Sequence, residues 1–305
     1  MRFVIETADD GRLLRDCLRL WGVSGKLSAR LKRLEDGILL NGVRVTVRAV
    51  VHTGDTVDLA IEEREAPLHV VPRPLPVDIL LESGDFIVVN KPADMPTHPS
   101  HGHFEDTLAN GLAFRYGSEA TPFRPRFINR LDRNTTGIVL VAKHALAAAT
   151  LSRAMANGEI KKTYVALVKG RLEEERYVES GIRRRQESII FREACPIGEG
   201  EIAKTQVIPL IASDAFSLVQ LIPHTGRTHQ LRVHMASIGH PLLGDELYGD
   251  GLGMERHALH AVTLCFPNTE GGTPITVCAP LPADMKEKIR ELGEEAVALA
   301  EEKTC

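Results

Sequence analysis

A length of 305 residues allows about two domains, and 43% hydrophobic with 26% charged residues is the composition of an ordinary soluble globular protein. No apolar run nears the ~20 residues that span a bilayer, and Met1-Arg2-Phe3-Val4-Ile5-Glu6-Thr7 lacks the apolar core of a signal peptide. The five cysteines (Cys17, Cys195, Cys265, Cys278, Cys305) are scattered and form no CxxC, which argues against a disulfide framework or a zinc site and for a reduced, cytoplasmic setting.

The net charge of −4 hides an asymmetry. Residues 11–50 hold nine Lys/Arg against three acids, a net of +6, so the remainder sums to −10. A compact basic module on an otherwise acidic chain is the electrostatic footprint of a nucleic-acid contact.

In chain order, Leu13 to Trp21 and Leu27 to Leu34 predict two short helices. The second carries Leu27, Leu31 and Leu34 at helical spacing with Arg30, Lys32 and Arg33 between them. Gly37 stops it. Ile38 to Val45 predicts a hairpin, because Asn41-Gly42 suits a type I′ turn, and a strand follows at Thr56–Ile61. This ordered set, residues 12–61, resembles the S4 RNA-binding domain. The resemblance implies phosphate contacts from Lys26, Arg30, Lys32, Arg33 and Arg44.

Residues 62–76, with Pro67, Pro72, Pro74 and Pro76, predict a charged, extended linker after a 1–61 module. Strand-like runs then recur at Phe86–Asn90, Ile138–Ala142, Thr163–Val168, Gln206–Ile211 and Phe216–Ile222, with a helical pattern at His144–Asn157. The fold class expected is α+β, with a larger domain over 77–282 built on a mixed, largely antiparallel sheet. Asp284–Lys303 has seven acids and four bases, and residues 283–305 predict a solvated, acidic helical tail.

Two weak signals are set aside. Gly198-Glu199-Gly200-Glu201-Ile202-Ala203 formally fits a dinucleotide fingerprint, but a strand rather than a helix follows it. With no GxxxxGK[ST] either, no nucleotide cofactor is expected. His98, His101 and His103 lie in a loop without a fourth ligand, so no metal is expected.

Four segments carry chemistry. In Phe127–Lys143 a polar turn, Asp132 to Gly137, feeds the apolar run Ile138–Ala142, and the flanking Arg130 and Arg133 favour the charged form of Asp132. Alone, an Asx-turn would explain such an aspartate. Asn90-Lys91-Pro92 ends a strand. Lys162, Tyr164 and Ala166 share one face of another. In Leu221–His234 the later part is helical, which places Arg227 at or just before a helix N-terminus. Each feature singly has an ordinary structural reading.

In this order and spacing the four segments resemble the RluA-type pseudouridine synthases, as do Gly239–Asp245 and Leu259-His260-Ala261. The resemblance implies that Asp132 is the catalytic carboxylate, that Arg227 pairs with it, and that Tyr164 packs on the target base and could act as a base. It further implies RNA contacts from Arg130, Arg133 and Lys162, no cofactor, and isomerisation of uridine in structured RNA (ribosomal RNA, with tRNA the alternative). Two positions depart from the family: Asn129 stands where it usually has His, and Thr136 where it has Ser. An RNA-binding or ribosome-assembly factor with an idle site is the competing function.

Overall fold

The computed structural model describes residues 1–61, 70–118, 121–186, 188, 190–269 and 271–304. Most of the expected linker, 62–69, lies outside the described residues, and 70–76 forms neither helix nor strand.

The N-terminal module runs β1 (Arg2–Val4), α1 (Leu14–Leu20), α2 (Gly25–Arg33), β2 (Ile38–Leu40), β3 (Val43–Arg44) and β4 (Thr56–Leu59). Ser24 starts α2 by accepting the Leu27 amide at 3.2 Å. Asn41 and Gly42 take φ of 50° and 79°, the left-handed pair that the predicted turn requires. The strands form an antiparallel sheet in the order β1-β4-β2-β3. Leu14, Cys17 and Leu18 of α1 and Leu27 and Leu31 of α2 cover it, burying one core with Ile38, Val57 and Leu59.

The larger unit contains β5 (Asp78–Glu82), β6 (Phe86–Lys91), α3 (Leu108–Tyr116), β7 (Arg126–Phe127), β8 (Thr136–Ala142), α4 (Ala145–Ala156) and β9 (Lys161–Lys169). It continues with β10 (Arg176–Arg184), β11 (Arg192–Cys195), β12 (Glu201–Ala212), β13 (Phe216–Pro223), α5 (Gln230–Ser237), β14 (Leu259–Phe266), β15 (Ile275–Cys278), α6 (Ala283–Arg290) and α7 (Ala296–Thr304). Eleven strands make one sheet along β11-β10-β12-β13-β9-β14-β8-β6-β5, with β15 on β14 and β7 on β8. The α+β class and the mixed, largely antiparallel sheet agree with expectation. Among the described residues β8 and β14 are the one parallel pair, joined at His260↔Thr136 and Ala261↔Gly137.

Burial on both faces explains the unbroken apolar run of β8. Val139 and Val141 pack with Leu108 and Leu112 of α3 and Leu231 and Met235 of α5. Ile138 and Leu140 point the other way, onto Ala147 and Leu151 of α4. The outer face of α4 in turn seats the N-terminal module, since Leu146 joins that module's core.

The solvated tail expected after 282 is not what the chain forms. Residues 283–304 make two helices separated near Gly293, and Met285, Ile289, Ala296 and Ala300 are buried against Val165, Leu167 and Leu218 of the sheet. Their i, i+4 spacing gives each helix a narrow apolar stripe within an acidic surface. Cys17, Cys195 and Cys265 are free thiols, whereas Cys278 is disulfide-bonded, which departs from the wholly reduced set expected. Among the described residues no helix is long and apolar enough to cross a membrane.

Candidate active site

The chain leaves β7, turns through residues 129–135 and returns as β8, with Asp132 at the tip. Asn129 keeps this turn in register. Its buried side chain donates to the Ile138 carbonyl at 3.0 Å and accepts the Leu140 amide at 2.8 Å, so an amide side chain continues the ladder where the backbone has diverged. That use needs a donor and an acceptor on one planar group, and no titration. Gly137 then enters β8 at φ 106°, where a Cβ would lie 2.2 Å from the Ala261 carbonyl oxygen of β14. Only glycine lets the parallel strands close here.

Three further segments fasten the turn. The fully buried Lys91 donates to the carbonyls of Pro92 at 2.7 Å, Met95 at 2.8 Å and Arg133 at 2.9 Å. Burial pulls its ammonium down to about 7, opposed by the charge of Asp132. Three carbonyl acceptors match three N–H donors, and a neutral amine would leave one acceptor empty. Thr97 donates to the Leu131 carbonyl at 2.9 Å and accepts its amide at 3.3 Å. From the far side Arg256 donates to the Asn134 carbonyl at 3.0 Å, and its guanidinium is clamped by Asp284 of α6 at 2.7 and 3.1 Å. His257 and His260 meet the hydroxyls of Thr135 and Thr136 at 2.8 Å each. Thr136 therefore serves as a buried hydrogen-bonding group.

Asp132 faces an open cleft of about 700 Å³ whose walls include Tyr164, Lys162, Arg130, His229 and Arg232. The cation opposite it is Arg232 of α5, whose Nη1 lies 3.4 Å from Oδ2. Arg232 is held by the fully buried Asp245, through Nε and Nη2 at 2.8 Å each, with its guanidinium carbon 5.0 Å from the centre of the Tyr248 ring. That fork leaves one nitrogen turned to Asp132. His229 Nε2 lies 3.8 Å from the same oxygen.

The predicted pairing of Arg227 with Asp132 is not formed. Arg227 sits on the cleft rim, where Nη1 donates to Glu201 at 2.8 Å and Nε to the Ile202 carbonyl at 3.1 Å. It precedes α5, and the loop carrying it is turned outward by Gln230, which accepts the Arg227 amide at 3.0 Å. An arginine on a helix that otherwise presents Leu231, Val233, His234 and Met235 to the core was the signal for Arg232, because a buried cation must be paired.

Tyr164 lines the cleft, and burial, then the charge of Asp132, pushes its phenol up. Lys162 shares that face, and burial pulls its ammonium down. Arg130 is exposed at the cleft mouth, whereas Arg133 pairs with Asp94 and meets His103 at 3.2 Å. In the N-terminal module Lys26, Lys32, Arg33 and Arg44 are exposed, while Arg30 donates to the Ile61 carbonyl at 3.1 Å. No cluster of metal-ligating side chains occurs among the described residues, and His98 instead packs edge-on against Phe127 at 4.4 Å.

The cleft thus brings a carboxylate on a pinned turn opposite an arginine held by a second, buried carboxylate. The family model for RNA pseudouridylate synthase matches residues 85–237. The chain is 38% identical over 272 residues to the uncharacterised RNA pseudouridine synthase YjbO of Bacillus subtilis, covering 88% of this chain and 95% of that one. It is 33% identical over 285 residues to the ribosomal large subunit pseudouridine synthase D of Vibrio cholerae, covering 88% and 87%. Among solved structures, human RNA pseudouridylate synthase domain containing 1 aligns with a TM-score of 0.56 at 32% identity, over 68% of this chain and 84% of that one. The chain belongs to the RluA-type RNA pseudouridine synthases.

Proposed function

We propose that the protein isomerises specific uridines of ribosomal RNA, with Asp132 as the catalytic carboxylate. The observation that carries this reading is the placement of Asp132. Its turn is fixed by Lys91, Thr97, Asn129 and Arg256, and its Oδ2 faces Arg232 inside the cleft. An isomerisation needs neither oxidant nor phosphate. It needs a charged group held at the sugar C1′ while the N1–C1′ bond breaks, the base turns and C5 bonds to C1′. Arg232 orients the carboxylate and keeps it from drifting onto other donors.

Of the two parts expected of Tyr164, packing on the target base and acting as a base, the first suits its burial better. Burial, then the charge of Asp132, pushes the phenol up and disfavours its ionised form, which suits a ring that stacks on the extruded uracil. Unstacking that base costs a few kcal/mol. The exposed cations Lys26, Lys32, Arg33 and Arg44 of the S4-like module, with Arg130 at the cleft mouth, offset this by holding RNA phosphates. Ribosomal RNA is favoured over tRNA by the relatives called ribosomal large subunit synthases, and the cytoplasm is the compartment in which such a substrate is met.

The test is Asp132→Asn, assayed for pseudouridine in ribosomal RNA from cells lacking the wild-type protein. Complete loss of product with RNA affinity retained is expected. Normal turnover by the variant would remove Asp132 from the chemistry, and product confined to tRNA would move the substrate.

A further inference from the structure

The reaction moves one proton whose acceptor is neither Asp132 at C1′ nor the stacked Tyr164. When N1–C1′ breaks, its electron pair stays on the uracil. The C5=C6 pair then forms the C5–C1′ bond, leaving C5 tetrahedral and still bearing its hydrogen. Loss of that proton returns the C–H pair to the ring, and N1 gains a proton, so protons and electrons balance without a co-reactant. Tyr164 is a poor acceptor because the ionised form of its phenol is disfavoured.

Resting on the isomerase reading above, we propose that His229 is the catalytic base that removes the C5 proton, with Tyr248 its positioning residue. Carbon C5 becomes bonded to C1′, and C1′ must lie against Asp132. An acceptor 3.8 Å from Asp132 Oδ2 is therefore within reach of the C5 hydrogen. His229 caps α5 with φ 57° and ψ 17°, a left-handed conformation that few residues other than glycine adopt and that collects at functional sites. Its Nδ1 lies 2.8 Å from the Tyr248 hydroxyl, whose oxygen also accepts the Arg192 amide at 3.0 Å. A phenol oxygen has two acceptor positions. With the Arg192 N–H on one and, in the tautomer this role requires, Nδ1–H on the other, the free electron pair of the imidazole is at Nε2, on the Asp132 side.

The groups facing the ring act in opposite senses. Burial, Arg232 and Arg192 pull it below the ordinary imidazole range, while Asp132 and Asp245 push it up. The net sense is downward, which favours the neutral imidazole able to accept a proton, and its cation is then met by the Asp132 carboxylate. The accepted proton passes to N1 of the turned base or exchanges with water in the open cleft.

His229→Asn is the sharp variant. Asparagine tolerates the left-handed backbone and its amide reaches Tyr248, but it cannot titrate. Expected are a kcat about 10²-fold lower, the size of a lost general base, and KM for RNA nearly unchanged. RNA carrying 5-deuterated uridine should react with a larger isotope effect than in the wild type, because C5 deprotonation becomes the slow step. Tyr248→Phe, which leaves Nδ1 without its partner, should raise the isotope effect as well, with a smaller loss of kcat. An unchanged isotope effect in both folded variants, or a change in KM alone, overturns the proposal. If the wild-type protein makes no pseudouridine at all, the reading beneath the proposal is what has failed.

Discussion

Asp132 Oδ2 and Arg232 Nη1 stand 3.4 Å apart across the cleft, and the rest of the Arg232 guanidinium is locked onto Asp245. The arginine is thus shared unequally between two carboxylates. Asp245 fixes its plane, and Asp132 receives the remaining nitrogen.

Arg232→Ala strands the buried Asp245 and should destabilise the protein by about 3–5 kcal/mol as well as abolish turnover. Arg232→Lys retains a charge but not the fork, so a near-normal melting temperature with a kcat lower by on the order of 10² would separate orientation from folding. Arg227→Ala should leave kcat within a few-fold and raise KM, since its partner is Glu201 on the rim. Steady-state kinetics on an RNA fragment compare the three. A larger kcat loss at Arg227 than at Arg232 would reverse the assignment.

Asn129→Ala removes the partners of the Ile138 carbonyl and the Leu140 amide at a buried place. An expected loss of about 1–3 kcal/mol follows from leaving such groups unsatisfied. Asn129→Asp should cost more, because a carboxylate cannot donate to the Ile138 carbonyl. Urea titrations report both. Equal stability of Asn129→Asp and the wild type would contradict the ladder role.

Gly137→Ala places a methyl against the backbone of Ala261 and forces a left-handed residue. The expected result is low soluble yield or a sharply lowered melting temperature. Gly42→Ala, at the exposed hairpin with nothing within 4 Å of its Cβ, should cost only the backbone term.

Burial pulls His234, His257 and His260 from the ordinary 6.5 to about 4. The folded state binds fewer protons than the unfolded chain between those values. Their stabilisation is therefore complete above pH 6.5 and is lost as pH falls toward 4, on the order of 3 kcal/mol for each. Urea midpoints measured from pH 7.5 to 4.5 should decline mainly below 6.5. A flat profile across that interval would show that these histidines become charged without unfolding.

Lys32→Glu with Arg33→Glu reverses two exposed charges on α2 without touching its buried Leu27 and Leu31. If this face holds phosphates, the slope of log affinity against log salt should become shallower by roughly 1–2, with kcat at saturating RNA unchanged. An unaltered slope would place the RNA elsewhere.

The elements easiest to read in the sequence were those whose cause is local. Asn41-Gly42 dictates its hairpin, and the apolar run Ile138–Ala142 reads as a strand at once, with Thr136 and Gly137 added by the fold. Asp132 stood out only through the resemblance of the whole stretch to a family signature, since a polar turn before a strand has an ordinary Asx-turn reading. That Arg232 and not the expected Arg227 faces Asp132 is not a local matter. The partner that orients Arg232 arrives 13 residues later, at Asp245, and only the folded chain brings it back. The segment after 282 reads as helical, but the burial of its two helices escaped for another reason. Their apolar stripe is two residues wide per helix, and the surrounding acids dominate any average over the segment.

Asp284 has the look of a dispensable acid, lying 43% exposed on the first of those helices. Yet it holds the guanidinium of Arg256, whose other nitrogen reaches the backbone two residues beyond Asp132. An engineer redesigning surface charge to raise solubility would strip it early. The outcome would be a protein that purifies well and works poorly, so the sites to freeze in any such redesign extend to the back of the molecule.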